Sequence, residues 1–340
     1  MPESEPPKIG PPPQTGWRPF WSVMIPAYNR TKYLEKALTS VLSQDPGPEE
    51  MQIEVVDDAS SVDDPEPVVR RVGGDRVSFV RNPRNLGLMP NFNNCVERAR
   101  GHWVHILHTD DFVFPGFYER LRAALEARDD IGAAFCRHAV IGEDEQCLWT
   151  SDIESPTAGI LADSIGKIGS SQRIQFAAIA VRRSVYEHLG GFRTDLSAAD
   201  WNMWIRVAAR YPIWYEPEIL ASWRVHSSSQ SSALTRSGGN IADARRCIEI
   251  SHLVLPPDRA DAITRKAKEW VSFVALSAGE DFVRRKDFTG ALNQVREGLA
   301  TNFSPSMIKA LASMSVRIAM GSTRKVVRRS RERLLRVKAL

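Results

Sequence analysis

Long apolar runs are missing from this chain. Every hydrophobic stretch in its 340 residues is interrupted short of the roughly 18 residues that a membrane-spanning helix needs, so no span is expected. The N-terminus also lacks the basic-then-apolar pattern of a secretory signal, which argues against secretion. Cysteine is scarce: Cys95, Cys136, Cys147 and Cys247 are widely spaced, with no Cys-x-x-Cys and no local Cys/His ligand set. A structural zinc is therefore not expected, and reduced thiols in a cytoplasmic protein are. Acid is lacking in one place only. Residues 321–340 hold eight Lys/Arg against the single Glu332, a surplus of seven on a chain of net charge +4, so the remainder is net negative by three.

What is present is the composition of a soluble globular protein, 25% charged and 43% hydrophobic, long enough for one large core or two modest ones. Residues 1–19 contain seven prolines and little to bury, and read as a disordered or extended leader. Strands and helices then alternate. Ser22–Pro26, Gln52–Asp57, Arg76–Arg81, Trp103–His108 and Ile131–Ala139 read as strands. Lys32–Gln44, Pro65–Val72, Asn91–Arg100 and Gly116–Arg128 read as helices between them. That alternation predicts an α/β fold, a mostly parallel sheet covered by helices on both faces. Beyond Val140 the regularity fades, with a helix over Leu196–Arg210 and a strand over Trp214–His226. From about Asn240 the chain is helix-rich; Asp281–Leu299 has the form of a helical-pair unit, without a second copy.

Two acidic pairs stand at strand ends. Trp103-Val104-His105-Ile106-Leu107-His108 delivers Thr109-Asp110-Asp111 into a turn, and Ile53-Glu54-Val55-Val56 delivers Asp57-Asp58. Adjacent carboxylates beside a sheet repel each other and lose hydration, and a divalent cation bound by hard oxygen ligands is a common compensation. Taken alone, Asp110-Asp111 also fits a solvated turn or a helix N-cap. In parallel sheets ligands sit at the carboxyl ends of the strands, so one crevice would gather Pro26–Asn29, Asp57-Asp58 and Asp110-Asp111.

Seven pieces in order, Ser22-Val23-Met24-Ile25-Pro26-Ala27-Tyr28-Asn29, Val55-Val56-Asp57-Asp58-Ala59-Ser60, Asn85-Leu86-Gly87, His108-Thr109-Asp110-Asp111, Gly190-Gly191-Phe192, Asp200-Trp201-Asn202-Met203-Trp204 and Trp223-Arg224-Val225-His226, resemble the family-2 glycosyltransferases of the GT-A fold. The resemblance runs over Ser22–His226 and says nothing of the last hundred residues or so. It implies a catalytic domain over 20–235, with a donor half at 20–112 and an acceptor half at 113–235. A helical extension over 236–320 and a basic tail over 321–340 follow. The implied activity is inverting, metal-dependent transfer of a sugar from a nucleotide-diphosphate sugar to a hydroxyl, in bacterial cell-surface or exopolysaccharide synthesis. The acceptor would be a glycan or a lipid-linked glycan.

The resemblance also carries roles for single residues. Asp111 is the candidate direct ligand of Mn2+ or Mg2+. Asp110 reaches the ribose, or the metal through water, and His226 completes the metal shell; a histidine packed at a strand end is the alternative for His226. Pro26 and Tyr28 cradle the base and Asp58 accepts its hydrogen bonds, while Tyr28 also fits a half-buried packing aromatic. Arg84 is placed to pair with a phosphate or to lie solvated. Asp200 is the candidate base that deprotonates the acceptor, with helix capping as its other reading and Asp195 as runner-up. Asn29-Arg30-Thr31 fits a helix N-cap.

Two departures from the family pattern reduce the acidity: His108 stands where many relatives have an acid, and Ala199 replaces the acid before Asp200. They leave room for a catalytically inactive sugar-nucleotide-binding scaffold. A nucleotidyltransferase is disfavoured, because no glycine-rich, lysine-containing loop follows the first strand. In the tail, Val316, Met320, Val327 and Leu334 recur at helical spacing among basic residues, which suits peripheral contact with an anionic membrane. No aromatic interleaving accompanies the basic run, so nucleic acid is not an expected partner.

Overall fold

The computed structural model describes residues 5–12, 16, 18–126, 128–226 and 230–319; the basic tail lies outside the described residues. The chain divides into two compact units, one ending at His226 and one formed mainly from Ser227 onward, with the short pieces Gly169–Ser171 and Leu196–Ala198 belonging to the second.

In the first unit the elements run β1 (Trp21–Ala27), α1 (Leu34–Leu42), β2 (Met51–Asp57), α2 (Glu66–Gly73), β3 (Ser78–Arg81), α3 (Leu88–Arg98), β4 (Trp103–Ile106), β5 (Phe112–Val113), α4 (Phe117–Glu126), β6 (Ala133–Ile141), β7 (Cys147–Thr150) and β8 (Gly159–Ile160). They continue as α5 (Ser164–Ser170), β9 (Ile179–Arg182), α6 (Arg183–Leu189), α7 (Ala199–Ala208) and β10 (Ile213–Arg224). The sheet order is β3-β2-β1-β4-β9-β6-β10-β5, with β7 on β6 and β8 on β10. β1, β2, β3 and β4 are parallel to one another, and β9 and β5 run against their neighbours. Strand order reverses between β1 and β4, which places the crevice at their carboxyl ends.

β1 and β2 are buried along their whole length, as strands covered on both faces must be. Leu34, Ala37, Leu38 and Val41, on one stripe of α1, join Val23, Ile25, Ile53 and Val55 in the core. In the described part of the Pro-rich leader Ile9 is buried, and the Pro7 carbonyl accepts the Gly191 N–H at 2.8 Å. The helix expected from Asn91 starts three residues earlier, at Leu88. Pro90 then sits in the first turn, where a missing N–H removes no helical bond.

The second unit is helical: α8 (Gln230–Ser237), α9 (Gly239–His252), α10 (Ala260–Arg284), α11 (Phe288–Thr301) and α12 (Pro305–Ala319). The segment Asp281–Leu299 spans the end of α10, a turn at Lys286, and most of α11. No described helix is long and apolar enough to cross a membrane. All four cysteines are free thiols, and only Cys147 is exposed.

Candidate active site

The register sets the site. Ala27 lies beside Asp57, Asp57 beside Arg81, and Met24 beside Ile106, so the chain leaves β1, β2, β3 and β4 on one side of the sheet. Pro26 stays within the β1 ladder and Tyr28 follows it, 45% exposed with its ring accessible. Asn29 adopts a left-handed conformation (φ 48°), which Asn tolerates better than most residues. Its Oδ1 accepts the N–H groups of Ser61 and Val62, each at 2.9 Å. Asn29 thus ties the loop after β1 to the loop after β2. The α1 N-cap is Tyr33, which makes no side-chain cap bond.

Both carboxylates after β2 are heavily bonded. Asp57 accepts the Ser60 hydroxyl and N–H and the Arg81 guanidinium. Asp58 Oδ1 accepts the Asn82 amide at 2.9 Å and the Leu86 N–H at 2.8 Å, and Oδ2 accepts the Gly87 N–H at 3.0 Å. Gly87 has φ +92°, a conformation that favours glycine, and it begins α3. The Asn85-Leu86-Gly87 motif therefore seats a helix N-terminus on Asp58, where a negative charge is favourable. Arg84 is exposed in that same loop.

The end of β4 differs. Asp111 is buried; its Oδ1 accepts the Arg224 N–H at 2.8 Å, and its Oδ2 lies 3.8 Å from His108 Nδ1. Burial, and then the Asp110 charge, push the Asp111 carboxyl well above its ordinary range. Burial lowers the His108 imidazole. Asp110 Oδ2 meets His226 Nε2 at 2.9 Å and Arg30 Nη1 at 3.6 Å, and Arg30 Nη1 is 3.1 Å from His226 Nε2. One ligand atom from each of His108, Asp110 and Asp111 lies within 4.8 Å of the others. His108 Nε2 is buried with no hydrogen-bond partner among the described residues. Two adjacent carboxylates, one of them disfavoured as an anion, with the Nδ1 edge of the His108 ring beside Asp111, fit a divalent cation.

Arg224 builds the back of this cluster. Its guanidinium donates to the carbonyls of Asp110 (3.0 Å), Gly142 and Glu143 (both 3.1 Å) and stacks over the Tyr33 ring at 4.1 Å.

Asp200 opens α7. Its Oδ2 accepts the Gln172 amide at 2.6 Å and its Oδ1 the Trp201 N–H at 2.7 Å, which fixes the carboxylate plane. Trp204, one turn later, packs on Phe176 (5.6 Å between centroids), and Phe176 packs on His108 (4.8 Å). Asp195 is held bidentately by Arg193 at 3.0 and 2.9 Å.

The structure thus brings Asp110, Asp111 and His226 together, and adds His108 and Arg30. Sequence reasoning treated His108 as the loss of an acid and Arg30 as part of a cap. The position of Arg30 directly after a strand-end Asn is the signal that could have marked it. Gln172 carried no signal, because it meets Asp200 across 28 residues of irregular sequence.

Comparison with known proteins bears on the family and the fold. The Glycosyl transferase family 2 profile matches residues 22–190. An uncharacterized protein of Mycobacterium tuberculosis is 28% identical over 269 residues, 74% of this chain and 81% of that protein. A Campylobacter jejuni GalNAc(5)-diNAcBac-PP-undecaprenol beta-1,3-glucosyltransferase is 37% identical over 101 residues, covering 29% of this chain and 32% of that protein. Among solved structures, S. aureus TarS in complex with UDP-GlcNAc matches with TM-score 0.59 at 17% identity, over 81% of this chain and 90% of its own. A Pyrobaculum calidifontis mannosyltransferase with GDP-Man and Mn2+ matches with TM-score 0.56 at 19% identity, over 94% and 92%. At these identities the structural matches speak to the fold, which is GT-A. The chain belongs to the family-2 glycosyltransferases.

Proposed function

We propose that this protein is an inverting, metal-dependent glycosyltransferase acting on the cytoplasmic side of a membrane. It would move a sugar from a nucleoside-diphosphate sugar to a hydroxyl of a cell-surface or exopolysaccharide glycan, or of its lipid-linked precursor. The observation that carries the reading is the cluster of His108, Asp110 and Asp111 at the end of β4, backed by Arg224 and His226. Asp111, with Asp110, His226 and His108 beside it, would hold a Mn2+ or Mg2+ ion, which would supply positive charge to the departing diphosphate. The mixed imidazole and carboxylate donors suit Mn2+ better than Mg2+, which prefers oxygen alone. The relative named for an undecaprenol-linked acceptor supports the acceptor class.

The chain's own residues divide the remaining work. Tyr28 presents a ring face to the base, and Pro26 shapes the turn beneath it. Asp58 spends three of its roughly four acceptor sites on the 82–87 loop, which leaves one for a base N–H. Arg84 is exposed and free of the sheet, suited to a phosphate. Arg30, between Asp110 and His226, offers a second guanidinium to the diphosphate. Asp200 takes the acceptor hydroxyl proton as that oxygen attacks the anomeric carbon, with Gln172 orienting it. Asp195 is unsuited, because the Arg193 guanidinium already occupies both of its oxygens. The tail over 321–340 would hold the enzyme at an anionic membrane.

The test measures donor affinity and turnover with Mn2+ for Asp200→Asn and Asp195→Asn. Turnover should fall by about 10² to 10⁴ in the first, at donor affinity within a few-fold, and much less in the second. Equal losses of affinity and rate in Asp200→Asn would make it a binding residue and overturn its assignment as base.

A further inference from the structure

Phe288 and Leu292 are two of the strongly exposed apolar side chains of the second unit; Leu253 and Phe303 are others, away from the α10–α11 turn. α11 begins with Phe288, 66% exposed, and Leu292, one turn later on the same face, is 69% exposed. Immediately before them Arg284, Arg285 and Lys286 are exposed. The turn that presents these residues is fixed. Lys286 is left-handed (φ 60°), the Asp287 N–H donates to the Phe282 carbonyl at 2.9 Å, and Asp287 Oδ1 caps α11 by accepting the Gly290 N–H at 3.0 Å. The nearby acids are engaged: Asp281 holds Arg284 at 2.7 Å, Asp287 holds Arg236 at 2.6 Å, and Glu280 is buried. Arg285 and Lys286 therefore give the tip a positive surplus beside two bare hydrocarbon side chains.

The same end receives the last described helix. Gly290 lies against Phe282, Gly279 against Val295 and Gly298 against Ala275, so α10 and α11 are antiparallel. α12 starts beside the far part of α10, with the Ser306 hydroxyl 3.3 Å from Glu269, and Met307 and Met314 cluster with Leu276. It therefore runs along α10 toward the α10–α11 turn. Its exposed side carries Ile308, Ala312 and Val316 among Lys309, Ser313 and Ser315, and after Ala319 the sequence carries eight Lys/Arg and one acid over 321–340.

We propose that this end of the helical unit, with Phe288 and Leu292 as the inserting side chains and Arg285 and Lys286 beside them, docks on an anionic lipid bilayer. Charge and hydrophobicity meet there as they do in interfacial helices: cations address the headgroups while an aromatic and a leucine enter the acyl boundary. The sequence after Ala319 is itself strongly basic, a charge of the same sign. The proposal deepens the membrane contact named for the tail, because it assigns an ordered surface. It stands apart from sugar transfer.

The test is co-sedimentation of the full-length protein with phosphatidylcholine vesicles and with phosphatidylcholine/phosphatidylglycerol vesicles at low salt. Wild type should partition onto the anionic vesicles alone. Phe288→Ser with Leu292→Ser should lower that partition by about tenfold or more. Arg285→Glu with Lys286→Glu should lower it by about fivefold or more per cation. Circular dichroism melting and Mn2+-linked binding of UDP or GDP should be unchanged in both, which separates this surface from the active site. Wild-type vesicle binding by both double variants would assign the contact to the tail and overturn the proposal. So would a loss of self-association in Phe288→Ser/Leu292→Ser at unchanged vesicle binding, which would make the face a contact between copies. Absence of wild-type binding to anionic vesicles would overturn it outright.

Discussion

Asp57-Asp58 and Asp110-Asp111 are the same dipeptide at the same kind of strand end, yet the chain treats them in opposite ways. The first pair is surrounded by donors: Ser60, Arg81, Asn82, Leu86 and Gly87 all point at it. The second has one backbone N–H on Asp111 and His226 with Arg30 on Asp110, and Asp111 is forced above the usual carboxylate range. An acidic pair from which the fold withholds donors is suited to a cation.

The largest effect that could break this comparison is at Asp111. Asp111→Asn keeps an acceptor for the Arg224 N–H and sheds the buried charge, so the ligand-free protein should melt no lower than wild type. Mn2+-dependent binding of UDP or GDP should weaken about 10³-fold, about 4 kcal/mol. A large drop in the melting midpoint would mean that the charge was satisfied after all. Asp58→Ala should do the reverse. It strands the Leu86 and Gly87 N–H groups and should cost about 3 kcal/mol in urea unfolding, with or without metal.

Acid sharpens the contrast further. Burial lowers the His105 imidazole to about 3, between the Tyr118 hydroxyl and the Ala177 carbonyl. The unfolded chain takes up this proton below the ordinary 6.5 and the native protein only below about 3, so stability falls as pH drops through that window. By pH 5 the loss should be about 2 kcal/mol, and His105→Phe should flatten the slope. Asp111 acts with the opposite sign, since its raised value lets the native state bind a proton first; Asp111→Asn should steepen the acid loss. The smallest effect belongs to Arg30→Ala. Removing a half-exposed cation from Asp110 should weaken donor binding by about fivefold and leave the melting midpoint in place.

Much of this was readable in the chain, for a definite reason. Strands buried on both faces are continuous apolar runs, so Ser22–Pro26 and Gln52–Asp57 stand out, and acids at their ends are conspicuous against them. Boundaries were less legible where one residue type serves two settings: Pro90 looks like a helix break and is a first-turn residue. Long-range partners were not legible at all. Asp58 reads as a free acceptor until Leu86 and Gly87 fold back on it, 28 and 29 residues away. His108 reads as a missing charge until its ring is seen beside both carboxylates.

Arg224 has a consequence for the order in which a growing chain becomes competent. The backbone donor on Asp111 and the guanidinium that fastens the Asp110, Gly142 and Glu143 carbonyls belong to one residue, 113 positions after its first partner. A nascent polypeptide that has released only β1 through β4 can assemble the loops around Asp57 and Asp58, yet it holds Asp111 without that donor. The candidate cation cluster thus gains His226 and the Arg224 contacts that fix its backbone only when β10 emerges from the ribosome and closes on the sheet.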